Sequence, residues 1–191
     1  MKEVYKIISV VMSPISIAAV MTAIFSLFSP IGIGEMSLIQ SILAGFIFLC
    51  IIPFLLILFF SKRYSIEIDV HDRTKRTPIF LAIILSYIAG VFVFWVFDNY
   101  IMFLIALSYC IVTIVIMIIN LFWKISVHAA GMSGPLTALV FIFGIYFIPV
   151  FILTLPVAYS RYKMNFHNKG QLFAGFFIPI FITYMIYFFM W

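Results

Sequence analysis

Three short polar clusters interrupt an otherwise apolar sequence, and their residues are of types that handle phosphate groups. The clusters read DVHDRTKRTP (69–78), WKISVHAAG (123–131) and SRYKMNFH (160–167). The planar guanidinium group of arginine can bind two phosphate oxygens at once. Histidine can act as a nucleophile or as an acid–base group. His128 and His167 are therefore candidates for chemistry. The cations that can converge with them on one dianionic group are Arg73, Arg76, Lys124 and Arg161.

Other polar residues in the same stretches have a simpler interpretation. A charge close to a bilayer is costly unless it has a partner or reaches the headgroups, so many cations at the ends of spans serve only as anchors. We assign that role to Lys62, Arg63, Lys163 and Lys169. His71 is expected to be a solvated loop residue.

The composition of the chain decides its class. The 191 residues are 66% hydrophobic and 9% charged, with a mean hydropathy of +1.30, which is more apolar surface than a water-soluble domain of this size can bury. Long apolar runs suit helical spans of roughly 17–25 residues, and the alternation typical of a membrane β-barrel is not seen. We therefore predict an all-α, polytopic transmembrane helical bundle. Cys50 and Cys110 lie apart inside apolar runs, which favours packing over a disulfide or a metal site.

Hydropathy divides the chain into about seven predicted spans. They lie near 5–29, 37–60, 78–97, 100–122, 130–147, 148–161 and 170–190. The fifth and sixth are short and contain Gly144, Pro149 and Pro156, so a count of six, with one of them re-entrant, is the alternative. The opening residues MKEVYK resemble a signal sequence without a clear cleavage site, and we expect a retained first span. No repeat or linker divides the chain, which predicts one integral membrane domain over residues 1–191.

The cations are confined to one predicted face of this bundle. Counting spans along the chain places four polar segments on the same side; ten of the 11 Lys and Arg residues fall in them, and Lys6 lies two residues beyond the first. Those segments are 1–4, 61–77, 123–129 and 161–169. The opposite face offers only Glu35 and Asp98. By the positive-inside rule, we expect the face that carries the Lys and Arg residues to be cytoplasmic. We also expect the protein to reside in the cell membrane.

The third cluster, continued to Gln171 as SRYKMNFHNKGQ, resembles the third signature of the type 2 phosphatidic acid phosphatase superfamily, relatives of the vanadium haloperoxidases. That signature is S-R, five residues, H, three residues, D. Ser160, Arg161 and His167 match it in register, and Gln171 occupies the position of the aspartate. A glutamine carbonyl can still accept the Nδ1 proton of the histidine, but it brings no negative charge to stabilise an imidazolium.

The other two clusters resemble the remaining signatures of this family, in the same order along the chain. ISVH is similar to the P-S-G-H signature, with Ser126 and His128 kept. DRTKRTP is similar to a degenerate form of the signature K, six residues, R-P. Arg76 keeps the arginine position, although one residue separates it from the proline, and Asp69 stands where the lysine is expected. Arg73 is a candidate substitute for that lysine.

The resemblance implies a mechanism with a phosphohistidine intermediate and without a metal or a cofactor. His167 would attack phosphorus, and His128 would protonate the departing oxygen. Gln171 would orient His167. The remaining candidates would hold the phosphate oxygens, and they are Arg73, Arg76, Lys124, Ser126, Ser160 and Arg161. Asp69 and Asp72 are further candidates for an orienting role.

We therefore expect an integral membrane lipid phosphatase whose phosphatase-like core spans about residues 61–190. Its substrate would be a phosphomonoester or diphosphate of a lipid, such as a polyprenyl diphosphate, phosphatidate or phosphatidylglycerol phosphate. Such a lipid can reach a site at headgroup depth from the side, with its tails in the bilayer. The alternatives are a lipid phosphotransferase, in which an alcohol replaces water, and a non-catalytic protein that binds or transports a phosphorylated ligand. No nucleic-acid partner is expected.

Overall fold

The all-helical prediction is confirmed by a computed structural model of the chain, which describes residues 2–65, 70 and 72–191. Every regular element within those residues is a helix. The α-helices are α1 (Lys2–Val11), α2 (Pro14–Leu27), α3 (Leu38–Gly45), α4 (Ile52–Tyr64), α5 (Thr77–Val96), α6 (Tyr100–Phe122), α7 (Val127–Phe143), α8 (Thr154–Lys163) and α9 (Lys169–Met190). A π-helical segment covers Phe46–Ile51, and 3-10 helices cover Arg73–Arg76 and Ile145–Leu153. The sequence candidates Asp69 and His71 lie outside the described residues.

Within this described part of the chain, six helical stretches are long and apolar enough to cross a membrane. They are Glu3–Leu27, Leu38–Tyr64, Arg73–Val96, Tyr100–Phe122, Ile145–Lys163 and Lys169–Met190. Helix α7 adds a shorter apolar helix of 17 residues. At a rise of about 1.5 Å per residue, α7 is about 25 Å long. The prediction of six or seven spans is confirmed, and the chain is an integral membrane protein.

Proline and glycine account for the interruptions within the spans. Ser13 caps α2 by accepting a hydrogen bond from Ser16 N, and Pro14 occupies the first helical position, where its missing N–H costs little. This break separates α1 from α2. At Gly144 the backbone has φ +99°, a conformation that favours glycine, and the chain continues as the 3-10 helix Ile145–Leu153. The two short predicted spans, 130–147 and 148–161, therefore correspond to separate helical elements, and the break between them lies at Gly144 rather than after residue 147.

Helices α7 and α9 pack closely because a small residue lies at their contact. A Cβ at Gly175 of α9 would lie 2.6 Å from the carbonyl oxygen of Ser126 and 3.1 Å from its Cβ, so only glycine allows this approach. Further along the same pair, Met132 and Leu136 of α7 and Tyr187 of α9 are buried. The beginning of α7 is thereby held against the first turns of α9.

A buried chain of hydrogen bonds joins three elements at the end of the bundle opposite the cationic clusters. Asn99 Nδ2 donates to Ser41 Oγ at 2.9 Å, and the hydroxyl oxygens of Ser41 and Ser26 are 2.7 Å apart. Asn99 also caps α6 by accepting from Met102 N at 3.3 Å. Since burial of a polar group is costly unless it is hydrogen-bonded, these contacts hold α2, α3 and the beginning of α6 in one arrangement.

Candidate functional site

The three polar clusters meet at one end of the bundle, as the alternation of the spans predicts. Arg76, directly before α5, donates from Nη1 to the carbonyl oxygen of Ile125 at 3.1 Å. The amide of Ser126 donates to the carbonyl oxygen of Gln171 at 3.3 Å. The first cluster therefore contacts the second, and the second contacts the continuation of the third.

His167 lies in the connection between α8 and α9 and is 5% exposed. The connection folds back on the end of α8. The amides of Met164 and Phe166 donate to the carbonyl oxygens of Ser160 and Arg161, respectively, both at 3.0 Å. These bonds keep His167 next to the end of α8 and directly before the first turn of α9, so both helices position its ring.

The first turn of α9 determines the tautomer of His167. Asn168 Oδ1 accepts a hydrogen bond from Gln171 N at 2.9 Å, and Gln171 Oε1 accepts one from Asn168 N at 3.3 Å, which together form a capping box. The same Gln171 Oε1 is 3.1 Å from His167 Nδ1. Because an amide oxygen can only accept, Nδ1 must carry the proton of this hydrogen bond. The neutral ring therefore presents an unprotonated Nε2.

Burial and nearby cations keep His167 neutral, because together they lower its pKa to about 3. Burial of the ring is the largest cause, followed by the charge of Arg76. The hydrogen bond with Gln171 opposes this lowering of the pKa, while the charges of Arg161 and Lys124 add to it. Three of the predicted phosphate-binding cations thus lie close enough to act on the ring. At neutral pH the imidazole therefore keeps a nitrogen lone pair in the electrostatic field of three positive charges.

Arg161 is the most deeply buried of these cations, with 1% of its surface exposed. Its guanidinium carbon lies 4.1 Å from the centre of the Phe166 ring, and Nη1 donates to Ser9 Oγ at 2.9 Å. Ser9 and Phe166 are site residues that the sequence analysis missed. Ser9 belongs to α1, far from the three clusters in the sequence, and its only signal is a serine within the apolar run IISVV (7–11).

Arg76 connects the first cluster to the second through backbone carbonyl groups. It is 8% exposed, and its Nε donates to the carbonyl oxygen of Val70 at 2.8 Å while its Nη1 bonds to Ile125. Lys124, the residue before Ile125, is half-buried. The bond to Ile125 places Arg76 next to the segment that carries Lys124, and the positive charges of both residues lower the pKa of His167.

Arg73 uses its guanidinium to cap a helix. Nη1 donates to the carbonyl oxygens of Asn120 and Leu121 at 3.1 and 2.5 Å, and Asn120 Nδ2 donates to the carbonyl oxygen of Arg73 at 2.9 Å. Both carbonyl groups lie in the last turn of α6, where a positive charge is favourable. The sequence analysis placed Arg73 on a phosphate group and did not anticipate these partners.

The two predicted serines are buried and support helix geometry. Ser126 Oγ caps α7 by accepting from Ala129 N at 3.3 Å, and Ser160 Oγ donates to the carbonyl oxygen of Val157 at 2.8 Å. A hydroxyl that accepts at its oxygen can still donate its hydrogen, so Ser126 can also bond a ligand. His128 is half-buried in the first turn of α7, two residues after this cap.

Two helices begin beside one another at this site. Helix α7 begins at Val127 and α9 at Lys169, and the bond from Ser126 N to Gln171 O joins their first turns. The beginning of a helix carries a partial positive charge and N–H groups that favour anions. With the three cations around His167, this end of the bundle is suited to bind an anionic group.

The remaining polar residues of the clusters have other surroundings. The predicted anchors are exposed, and they are Lys62, Arg63, Lys163 and Lys169. Asp72 Oδ1 accepts from Thr74 N at 3.0 Å and from Thr74 Oγ1 at 2.8 Å, and these bonds are the main reason that the pKa of Asp72 is lowered. Asp72 therefore caps the 3-10 helix Arg73–Arg76.

The candidate site can be summarised by its members. Its centre is the hydrogen-bonded pair His167 and Gln171, and the cations whose charges lower the pKa of His167 are Arg76, Lys124 and Arg161. Comparison of the chain with protein-family models, with curated proteins and with solved structures finds no match.

Proposed function

We propose that this protein is an integral membrane lipid phosphatase, a divergent member of the type 2 phosphatidic acid phosphatase superfamily. Its substrate is a phosphomonoester or diphosphate of a lipid. One observation carries the proposal: the buried ring of His167 is hydrogen-bonded through Nδ1 to Gln171 Oε1, and the charges of Arg76, Lys124 and Arg161 act on it to keep it neutral. A nitrogen lone pair beside several positive charges is suited to attack on a phosphate dianion.

In the proposed reaction, the lone pair of His167 Nε2 forms a bond to phosphorus while the bond to the leaving alcohol or phosphate oxygen breaks. His128 gives a proton to that oxygen and later accepts one from the water that attacks the phosphohistidine. The N–P bond then breaks, which releases inorganic phosphate and restores the lone pair on Nε2. The cations around the ring stabilise the charge on the equatorial oxygens in both steps.

Gln171 holds the ring of His167 through the whole reaction. Positive charge develops on the imidazole when the N–P bond forms, and Gln171 Oε1 accepts the Nδ1 hydrogen throughout. An amide brings no negative charge, so the phosphohistidine is stabilised less than it would be beside a carboxylate. We therefore expect slower turnover than a carboxylate at position 171 would give.

A lipid substrate suits the position of the site in the bundle. The site lies where the span Ile145–Lys163 ends and the span Lys169–Met190 begins, so a phosphate at headgroup depth can reach it while the tails remain in the bilayer. The Lys and Arg residues concentrate at this end, which favours the cytoplasmic side of the cell membrane. A cysteine introduced at Thr74 that an impermeant thiol reagent labels from outside intact cells would contradict this orientation.

Two other activities use the same residues. A lipid phosphotransferase would form the same phosphohistidine and pass the phosphoryl group to an alcohol, which product analysis with and without an added alcohol detects. A protein that binds or transports a phosphorylated ligand without hydrolysis is favoured by Gln171, because no carboxylate of that residue compensates a charged imidazole. Tight binding of phosphate esters without turnover would support that candidate.

The test of the phosphatase is phosphate release by detergent-solubilised protein from a panel of lipid phosphates and diphosphates, with a chelator present throughout. His167→Ala is compared with Lys163→Ala, which removes an exposed cation close by in the sequence. Chelator-resistant release that is lost in His167→Ala and kept in Lys163→Ala supports the proposal. Release retained in a folded His167→Ala variant would remove the phosphohistidine mechanism.

A further inference from the structure

Helix α1 contributes a buried polar side chain to the site, although it lies outside the part of the chain that carries the family resemblance. Ser9 is 3% exposed, whereas its neighbours Val10 and Val11 are each 63% exposed. Tyr5 of the same helix meets Tyr159 of α8 edge to face, with ring centres 5.8 Å apart. Helix α1 therefore docks on α8 with Ser9 turned inward.

Ser9 meets the guanidinium of Arg161 at this contact. The hydroxyl oxygen of Ser9 accepts from Arg161 Nη1 at 2.9 Å, and both side chains are buried. Phe166 lies against the same guanidinium, with its ring centre 4.1 Å from the guanidinium carbon. The aromatic contact restrains the plane of the guanidinium, and the hydrogen bond restrains its rotation within that plane.

We propose that Ser9 is a positioning residue for phosphate binding, a role that rests on the proposed function of this site. An arginine side chain has many rotamers, while its N–H donors lie on one rigid fork. When Nη1 is held by Ser9, the direction of the remaining donors is set before the phosphate arrives, so less ordering is needed on binding. Arg161 lies near His167, since the amide of Phe166, the residue directly before the histidine, donates to the carbonyl oxygen of Arg161 at 3.0 Å.

A purely structural role for Ser9 makes a different prediction. If the hydrogen bond only attached α1 to the bundle, its loss would lower stability and leave the phosphate affinity of the folded protein unchanged. Ser26 provides the matched control, because its hydroxyl makes a buried 2.7 Å hydrogen bond with Ser41. Ser26 belongs to the same span as Ser9, Glu3–Leu27, and lies at its opposite end.

The experiment measures binding of inorganic phosphate to the full chain in detergent, KM and kcat for the best lipid phosphate, and the thermal midpoint of each protein. We expect Ser9→Ala to weaken phosphate binding about tenfold and to raise KM more than it lowers kcat. Ser9→Thr keeps a hydroxyl and should restore most of the affinity. Ser26→Ala should lower the thermal midpoint and leave the phosphate affinity unchanged.

The outcomes separate this inference from the phosphatase itself. Unchanged phosphate affinity in folded Ser9→Ala overturns the inference, and so does an equal loss of affinity in Ser26→Ala. Hydrolysis that does not depend on Ser9 overturns the positioning role alone. Phosphate binding that depends on Ser9, without hydrolysis of any lipid phosphate, supports the positioning role and overturns the phosphatase.

Discussion

The amide of Ser126 donates to the carbonyl oxygen of Gln171 at 3.3 Å, so the helix that carries His128 is fastened to the residue that holds His167. Gln171 makes the first contact through its backbone and the contact with His167 Nδ1 through its side chain. A substitution at Gln171 therefore changes the surroundings of the histidine and leaves the backbone link between α7 and α9 in place. Chemistry and helix packing can be tested separately at this one residue.

Gln171→Glu should raise the pKa of His167 above its present value of about 3. The two side chains have nearly the same length, so a carboxylate oxygen can keep the 3.1 Å contact with Nδ1 and add a negative charge that favours the imidazolium. For a phosphatase we expect faster turnover at neutral pH, because the same charge stabilises the phosphohistidine. NMR titration of the histidine measures the pKa, and phosphate release measures the turnover.

Gln40→Glu is the control for this change. Gln40 forms a capping box with Ser37 at the start of α3, as Gln171 does with Asn168, but it lies at the opposite end of the bundle. The control should leave the pKa of His167 unchanged. If Gln171→Glu also left it unchanged, the contact between Oε1 and Nδ1 would be refuted.

The protein should lose stability as the pH falls from about 6.5 towards 3. The pKa of His167 is about 3 in the folded protein, against an ordinary value of 6.5, so within this window the unfolded chain binds a proton that the folded chain does not. Stability rises with pH wherever the unfolded state binds more protons, so it falls on acidification. Thermal midpoints in detergent should decline over this window, and less steeply in His167→Gln. Equal slopes in the two proteins would contradict the assignment.

Arg73→Ala should affect stability more than phosphate binding. Arg73 Nη1 bonds two carbonyl oxygens at the end of α6, and losing these bonds should cost about 1–2 kcal/mol of unfolding free energy. Arg76→Ala removes a charge that acts on His167 and should raise the KM of the substrate about tenfold. Thermal midpoints and KM values for both variants provide the comparison. If KM rose more in Arg73→Ala than in Arg76→Ala, the assignment of Arg73 to helix capping and of Arg76 to phosphate binding would be wrong.

Gly175→Ala should lower both stability and activity. The added methyl group would lie 2.6 Å from the carbonyl oxygen of Ser126 and push α9 away from α7, at a cost of about 1–3 kcal/mol. The bond from Ser126 N to Gln171 O would be strained by the same movement. Gly170→Ala, in the first turn of α9, is the control, since its Cβ would meet its nearest neighbour at 3.5 Å. Thermal midpoints and phosphate release that fall equally in both variants would refute this packing argument.

The spans and the grouping of the clusters could be predicted because both follow from local composition. Apolar runs of sufficient length form the helices, and an even number of crossings returns the polar segments to the same end. The spacing of Arg161 and His167 then places Arg161 at the end of α8 and His167 directly before α9.

The sequence also contained the signal for the break between α1 and α2. Ser13 and Pro14 provide it, since serine caps helices and proline favours their first position.

The partners of single side chains could not be predicted, because they depend on packing between distant segments. Ser9 and Arg161 are separated by 152 positions, and no local pattern connects them. The contact of Arg73 with α6 depends on where that helix ends and on which carbonyl groups its last turn leaves open. Motif spacing indicates which residue types belong to a candidate site, whereas tertiary packing decides which of them reach it.

The 3-10 helix Ile145–Leu153 extends the reach of a short span. A residue advances about 2.0 Å along the axis of a 3-10 helix, against about 1.5 Å in an α-helix. The 19-residue stretch Ile145–Lys163 is therefore about 33 Å long, whereas an α-helix of that length would measure about 28 Å. Since the hydrocarbon core of a bilayer is about 30 Å thick, the overwound half allows this 19-residue span to cross the core without local thinning of the membrane.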